Sequence, residues 1–555
     1  MKRNWPILLA LLAVVLFGVF LRLPMIEDMF CNPDLAVVAY CAQELLGGGA
    51  VYDQCADTKT PGSYFLYAFL FHAFGRTMAN VYFATMLWHL VVLLCVFAVA
   101  RAVIGNAAGL AAAGFYAWYS VSAASAGFCP DFESWTLLPL AVGFWAIWKF
   151  AVSRRRAWLA VVGLCASFAL LFKQTSVMFF VAAVVPVWLT RQPRDGKWPP
   201  AKPFVVDLLV CALAALPPII ATIAFFYARH GLAAMWRALN PGSVVGGYMS
   251  SEPLSDVWAR IRDNVFYFVR HSSLLLLFAA LGVVAAWRSR RNEEQPRRWV
   301  GYRLALFWLI GAVAAIIVGT KFFDHYFVLI MPPLALLAGL GLVDNSLVRR
   351  WPKRAVIFLA VLAVSGAFAN LYLETGLAVQ VAKDYLKVGH QTWNEDHEYF
   401  WSRIDLPRHL TSRTYLVNVG KCIAEHTKPT DTILAWDYIP DLYWHANRRA
   451  PTRHFVYFEV ATEMPPQSGR WYSKLVPPVR RARDEMMHDL ERHPPAYIVH
   501  IQDNPGNLYR PYFRWNAPMF PELAAFAAAR YEPDPVCSQG LLVVLKRKEL
   551  PPPGR

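Results

Sequence analysis

The chain has 555 residues, of which 57% are hydrophobic, 15% aromatic and only 17% charged, and the apolar residues fall in long blocks rather than amphipathic stripes. That pattern belongs to a polytopic α-helical membrane protein and excludes an ordinary soluble enzyme. Lys and Arg exceed Asp and Glu by 16, but the arginines cluster between apolar blocks, where they report membrane orientation, so nucleic acid is a poor reading of the charge.

The first segment, "MKRNWPILLALLAVVLFGVFLRL", sets Lys2 and Arg3 before an apolar run that no small-x-small cleavage site follows, and reads as an uncleaved span. With this block at about 5–23, further blocks at 79–104, 107–126, 133–152, 157–172, 176–190, 204–228, 272–287, 304–319, 326–343 and 355–373 make eleven candidate spans, each near the length that crosses ~30 Å of hydrocarbon. With Lys2 and Arg3 in the cytoplasm, the cytoplasmic loops hold the basic clusters around Arg101, Arg155, Arg194, Arg290 and Arg350, as the positive-inside rule requires. The block 61–75, "PGSYFLYAFLFHAFG", is too short to span and is expected on the outer surface; a crossing there would turn every later Arg-rich loop outward. The loop 229–271 opposes the scheme with Arg229, Arg237, Arg260, Arg262 and Arg270, although long loops obey the rule weakly.

This topology gathers the polar residues at one face. The outer loop 24–78 carries Asp34, Asp53, Asp57 and Lys59; the loop 127–133 carries Asp131 and Glu133; Lys173 and Gln174 break spans five and six; Lys321, Asp324, His325 and Tyr326 sit at the lip of span ten. Charge at the edge of hydrocarbon is costly and marks a site. The transmembrane domain is expected over residues 1–375. From 376 to 555 the polarity is ordinary, and short β-rich runs at 431–438, 454–458, 496–501 and 541–546 alternate with helix-like stretches, so an outer α/β domain is expected. Six of nine cysteines face this oxidising side, where Cys422 can staple the tail to Cys537, and Cys55 can pair with Cys31 or Cys129. No Walker loop, H-E-x-x-H, G-x-S-x-G or paired C-x-x-C motif is present.

The stretch "CNPDLAVVAY…GGGAVYDQCADTKTPGSYFLYAFLFHAFG", with an acidic residue after the first span and then D-x-K-x-P-G-x-Y, resembles the first outer loop of the GT-C polyprenyl-phosphate-sugar glycosyltransferases, among them bacterial relatives of the dolichyl-phosphate-mannose protein mannosyltransferases and the lipid A aminoarabinose transferases. "CPDFESW", "LLFKQTSVMFF", "KFFDHYFVLIMPPLALLAG" and the tail segment from Ile423 resemble later elements of that family in the same order. Leu35 and Thr60 depart from it, standing where members often have Glu and Pro. The resemblance implies transfer of a sugar from a polyprenyl-phosphate donor to an outward-facing lipid, glycan or protein acceptor at a bacterial inner membrane.

That chemistry needs a base for the acceptor's proton and cations for the departing phosphate. Asp34 is the candidate base, its alternative being to complement the N-terminus of a helix begun by Pro33. Lys59, Lys173, Lys321 and His325 are candidate phosphate holders, with His325 equally able to pair with Asp324. The resemblance implies a role at the donor for Asp57, Asp131 and Glu133, the last two orienting sugar hydroxyls, and a divalent cation on their hard oxygens is a lesser option. Asp131 equally suits an N-cap with Glu133 in the first turn, and Tyr64, Tyr67 and Tyr326 suit an interfacial belt. The competing classes are a transporter or lipid flippase, which would show paired halves and broken helices near the midplane, and an O-antigen ligase or polymerase.

Overall fold

The computed structural model describes residues 5–23, 26, 30–122, 124–182, 201–239, 254–289, 296–319, 322–343, 413–436, 439–456, 460, 477–501 and 520–549. To residue 343 these are helical: α1 Trp5–Arg22, α2 Pro33–Leu46, α3 Gly62–Phe74, α4 Met78–Val103, α5 Asn106–Tyr119, α6 Phe132–Ser153, α7 Ala157–Phe172, α8 Ala201–Ala228, α9 Leu232–Leu239, α10 Leu254–His271, α11 Ser273–Ser289, α12 Pro296–Gly319 and α13 Met331–Val343. Among the described residues six helices are long and apolar enough to cross a membrane, and α10 with α11 would add a seventh were it not bent by 85°. The protein is therefore a polytopic membrane protein. The block 355–373 and most of 176–190 lie outside the described residues. The block 107–126 is helical only to Tyr119, because the side chain of Ser122 accepts from Ala124 N and that of Ser125 donates to Tyr119 O, offering the backbone turns in place of helix.

Apolar surface alone drives no association between helices in lipid, so close packing must do it. α5 supplies a small face of Ala108, Ala112, Ala113 and Ala117, all fully buried. Gly339 of α13 approaches it so closely that a Cβ there would stand 2.6 Å from the Cβ of Ala112. Large rings fill the space behind, with Phe144 and Trp308 centroids 4.5 Å apart.

α3 has 13 residues, about 20 Å of helix, short of a span. The chain on either side of it reaches the tail: Ala56 N donates to Arg453 O at 3.0 Å, and Arg76 Nη2 donates to Trp444 O at 2.9 Å with its guanidinium 3.9 Å over the Trp444 ring.

The described tail contains α14 Arg413–Glu425, β1 Ile433–Ala435, α15 Asp441–Ala446, α16 Pro477–Arg492, β2 Tyr497–Ile501, α17 Pro521–Arg530, β3 Tyr531–Pro533 and β4 Leu542–Arg547. The sheet order is β1-β2-β4-β3, with β1 parallel to β2 and the other pairs antiparallel. Alternation sorts its side chains. Ile433, Ala435, Tyr497, Val499, Leu542 and Val544 join the core shared with α2, α3 and α15, whereas Leu434 and Ile498 pack with Met486 and Leu490 of α16 and Phe526 of α17. The run expected as a strand at 454–458 is no strand in its described part, 454–456. Phe455 instead stacks on Tyr40 at 4.2 Å, which spends its apolar face on α2. The fourth strand is Tyr531–Pro533, too short to announce itself.

Three disulfides join Cys31 to Cys129, Cys41 to Cys55 and Cys422 to Cys537. The last is the pairing expected in the tail. The expected pairing of Cys55 with Cys31 or Cys129 is corrected: α2 turns the fully buried Cys41 toward the loop that follows it, 5.6 Å Cα to Cα from Cys55, leaving Cys31 and Cys129 to each other.

Non-reducing peptide mapping should recover these three linkages, and Cys41→Ser with Cys55→Ser should cost about 3 kcal/mol, the loop-closure value for so short a ring; free thiols at positions 41 and 55 in the oxidised protein would refute the pairing. A thiol probe at position 76 should react from the same side of the membrane as one at position 425 in the tail, and reaction only from the opposite side would mean that α3 crosses.

Candidate functional site

The site is built where α2, the loops 47–61 and 120–131, and the ends of α6 and α7 meet. Asn32 starts α2: its backbone is extended and its side-chain oxygen accepts from Leu35 N at 3.2 Å, with Pro33 in the first turn. The cap is thus Asn32, which leaves Asp34 to other work. Asp34 Oδ2 lies 3.4 Å from Lys59 Nζ, and Asp57 Oδ2 lies 3.9 Å from the same ammonium. Asp57 is held by Tyr64 OH at 2.7 Å and by Thr58 N at 2.7 Å, and Tyr52 OH donates to Lys59 O at 2.6 Å. Burial works against the Lys59 charge, but Asp34, Asp57 and Asp131 outweigh it and raise its pKa. Lys59 also stands 5.0 Å from the Phe132 ring centroid.

Asp131 occupies the N-cap position of α6 without making a cap bond. Both its oxygens accept instead from Asn32 Nδ2, at 3.1 and 3.0 Å. Asn32 therefore ties the start of α2 to the loop before α6, alongside the Cys31–Cys129 disulfide. Burial raises the pKa of Asp131, and His325, Asn32 and Lys59 oppose that shift while Asp34 adds to it. The neighbouring Pro130 carbonyl accepts from Tyr67 OH and from Trp135 Nε1 at 3.0 and 2.8 Å, so the fully buried Tyr67 is a structural anchor.

Glu133, 1% exposed, anchors the other side of the site. Its Oε1 binds Lys173 Nζ and lies 3.9 Å from His325 Nε2. Lys173 is extended where α7 ends, and its ammonium lies 3.5 Å from the Tyr326 ring centroid. His325 opens a 3₁₀ turn, Asp324–Ile330, with its Nδ1 3.4 Å from Asp324, so the pairing with Asp324 and the approach to Glu133 coexist. Asp34, Asp131 and Lys59 are all near enough to act on Lys173 electrostatically, which joins the two sides into one cluster. Gly62 permits this closure: a Cβ on it would stand 2.6 Å from Leu171 O, near the end of α7.

Of the residues singled out in the sequence, the structure brings together Asp34, Asp57, Lys59, Asp131, Glu133, Lys173, His325 and Tyr326; Lys321 lies outside the described residues. Asp53 is exposed and makes no part of the cluster's contacts described above. Asn32 and Tyr64 were missed as contact residues, and so was Arg260, which is 9% exposed with its guanidinium 5.5 Å from the Phe323 ring. The helix-start pattern in "CNPD" marks Asn32 as a cap, but nothing in it marks the second bond to Asp131. For a divalent ion the donor set fits poorly, since both oxygens of Asp131 already accept from an amide and Glu133 is paired with an ammonium.

The sequence of residues 58–221 matches the family described as dolichyl-phosphate-mannose-protein mannosyltransferase. No curated protein matches the sequence. Among solved structures, ArnT from Cupriavidus metallidurans in the apo state is similar over 98% of both chains, with a TM-score of 0.53 and 16% identity. The same protein bound to undecaprenyl phosphate is similar over 98% of both chains, with a TM-score of 0.52 and 15% identity. The chain thus carries, over residues 58–221, a segment similar to that mannosyltransferase family, and shares its fold over nearly its whole length with ArnT.

Proposed function

We propose that the protein transfers a sugar from a polyprenyl phosphate to an outward-facing acceptor in the bacterial cell envelope, with residues 1–375 in the inner membrane, the site on their periplasmic face and residues 376–555 above it. The observation that carries this reading is the mixed cluster itself: an ammonium between two aspartates, beside a second ammonium and a histidine on one glutamate. It offers both cations for a phosphate and carboxylates for sugar hydroxyls and a proton, at the lip of a helical bundle whose fold is shared with a protein crystallised with undecaprenyl phosphate.

In this reading the acceptor's oxygen or nitrogen attacks the anomeric carbon from the face opposite the phosphate. The bond from that carbon to the phosphate oxygen breaks, its electron pair leaves with polyprenyl phosphate, and the acceptor's proton passes to Asp34. A phosphate drawn to Lys59 competes with Asp34 for the same ammonium. A carboxylate released from an ammonium is the better proton acceptor, so donor binding would itself arm the base. Lys173 and His325 stabilise the charge that develops on the leaving phosphate, exchanging Glu133 for it. Asp57 is already oriented by Tyr64 and Thr58, and with Asp131 it faces the sugar.

Envelope glycolipids and glycoproteins of a strain lacking the gene should lose one sugar modification by mass spectrometry, and the wild-type gene should restore it. Asp34→Asn should not: Asn32 keeps the helix start intact, so expression stays near wild type while transfer falls about 10²–10⁴-fold. Near-normal turnover in the purified Asp34→Asn enzyme would pass the base to Asp131 or Glu133. Lys59→Ala should weaken donor binding and Lys59→Arg should retain some of it, because charge survives while geometry changes; unchanged affinity in Lys59→Ala would pass the phosphate to Lys173 and His325.

A further inference from the structure

The tail reaches the site's own loop. Arg453 O accepts from Ala56 N at 3.0 Å, one residue before Asp57, and Arg453 Nη1 donates to Tyr52 O at 3.4 Å. Tyr52 is the residue whose hydroxyl holds the Lys59 carbonyl. Its backbone is left-handed, with φ of 74°, a conformation that a bulky residue keeps only where its surroundings impose it. The impositions are visible: Tyr52 N donates to Cys55 O, Cys55 is bonded to Cys41, and Arg453 grips the Tyr52 carbonyl. Arg453 is in turn aimed by Glu485 on α16, which accepts from its Nη2 at 2.8 Å and lies 3.2 Å from His454 Nε2. The same tail segment holds α2, the helix of Asp34. Ala450 N donates to Tyr40 OH at 3.0 Å, Phe455 stacks on Tyr40, and Arg449 Nε lies 3.3 Å from the buried Glu44.

We propose that the tail segment 449–456 is a positioning element of the site, with Arg453 as the residue that sets Tyr52, and through it the Lys59 main chain, relative to Asp34. A tail that merely covered the site would need no directed bond to the one non-glycine residue of the 47–61 loop in a left-handed backbone. What the positioning serves, the seating of a phosphate at Lys59, rests on the function proposed above; the positioning itself rests on the contacts.

The test uses the full chain in detergent, with Arg453→Ala, Arg453→Lys and a control, Arg448→Ala. Arg448 donates to Ala424 O and Thr427 O inside the tail, so its loss weakens the tail without removing a bond to the 50–60 loop. Amide hydrogen exchange in peptides covering 50–60 should rise about tenfold in Arg453→Ala, the loss expected for one charge-assisted hydrogen bond, with α4 unchanged, and Arg453→Lys should restore some of the protection. Affinity for undecaprenyl phosphate, read from tryptophan fluorescence, should fall in parallel. Unchanged exchange in Arg453→Ala overturns the proposal, as does equal loosening of the loop in Arg448→Ala. If the loop loosens in Arg453→Ala alone but the wild-type protein does not bind undecaprenyl phosphate, the positioning stands and the proposed function falls.

Discussion

Charge held at the edge of hydrocarbon is the constraint from which the rest of this structure follows. Asp34, Asp57, Asp131 and Glu133 converge with Lys59, Lys173 and His325 in one partly buried cluster, where each unpaired ion would be costly. Every carboxylate accordingly has a named partner: Lys59 for Asp34 and Asp57, Asn32 for Asp131, Lys173 for Glu133. These partners come from segments far apart in the chain, so the cluster exists only if the loops are fixed. Two disulfides, the close contact of Gly62 with the end of α7, and the docking of the tail provide that fixation.

The helical bundle and the tail contribute differently. Helices α4 to α6 and α11 to α13 bury rings and small residues against each other and form the inner core. The second core runs without interruption from α2 and α3 into the sheet and α15, so the tail is packed on these two helices as one apolar body. This explains why α2, although only 14 residues long, is buried on nearly all sides. It cannot be a span; it is the wedge between bundle and tail.

Much of this could be read in advance because the relevant signals are local. Spans announce themselves by length and hydropathy, and the arginine clusters between them fix which loops share a side, so Asp34, Lys59, Asp131, Lys173 and His325 could be assigned to one face before any contact was known. What local pattern leaves out is partnership. Asn32 looks like a cap and is one, yet its amide also grips a carboxylate 99 residues away. Cys55 had several partners at plausible spacing, and only the direction in which α2 turns Cys41 selects among them. The alternating run at 454–456 has the composition of a strand, but its apolar positions answer to Tyr40 rather than to a neighbouring strand. Tyr531–Pro533 gains its strand identity wholly from β4 beside it.

The linkage of Cys31 to Cys129 joins the residue before Asn32 to the residue two before Asp131. Thiols stay reduced in the cytosol and pair only beyond the membrane. With the site on the periplasmic face, as proposed, a newly made chain would carry its acidic and basic groups on loops that are not yet tied together until those loops reach an oxidising compartment. In that arrangement oxidation would act as a maturation checkpoint, tying the assembly of the site to the place where its loops are exposed.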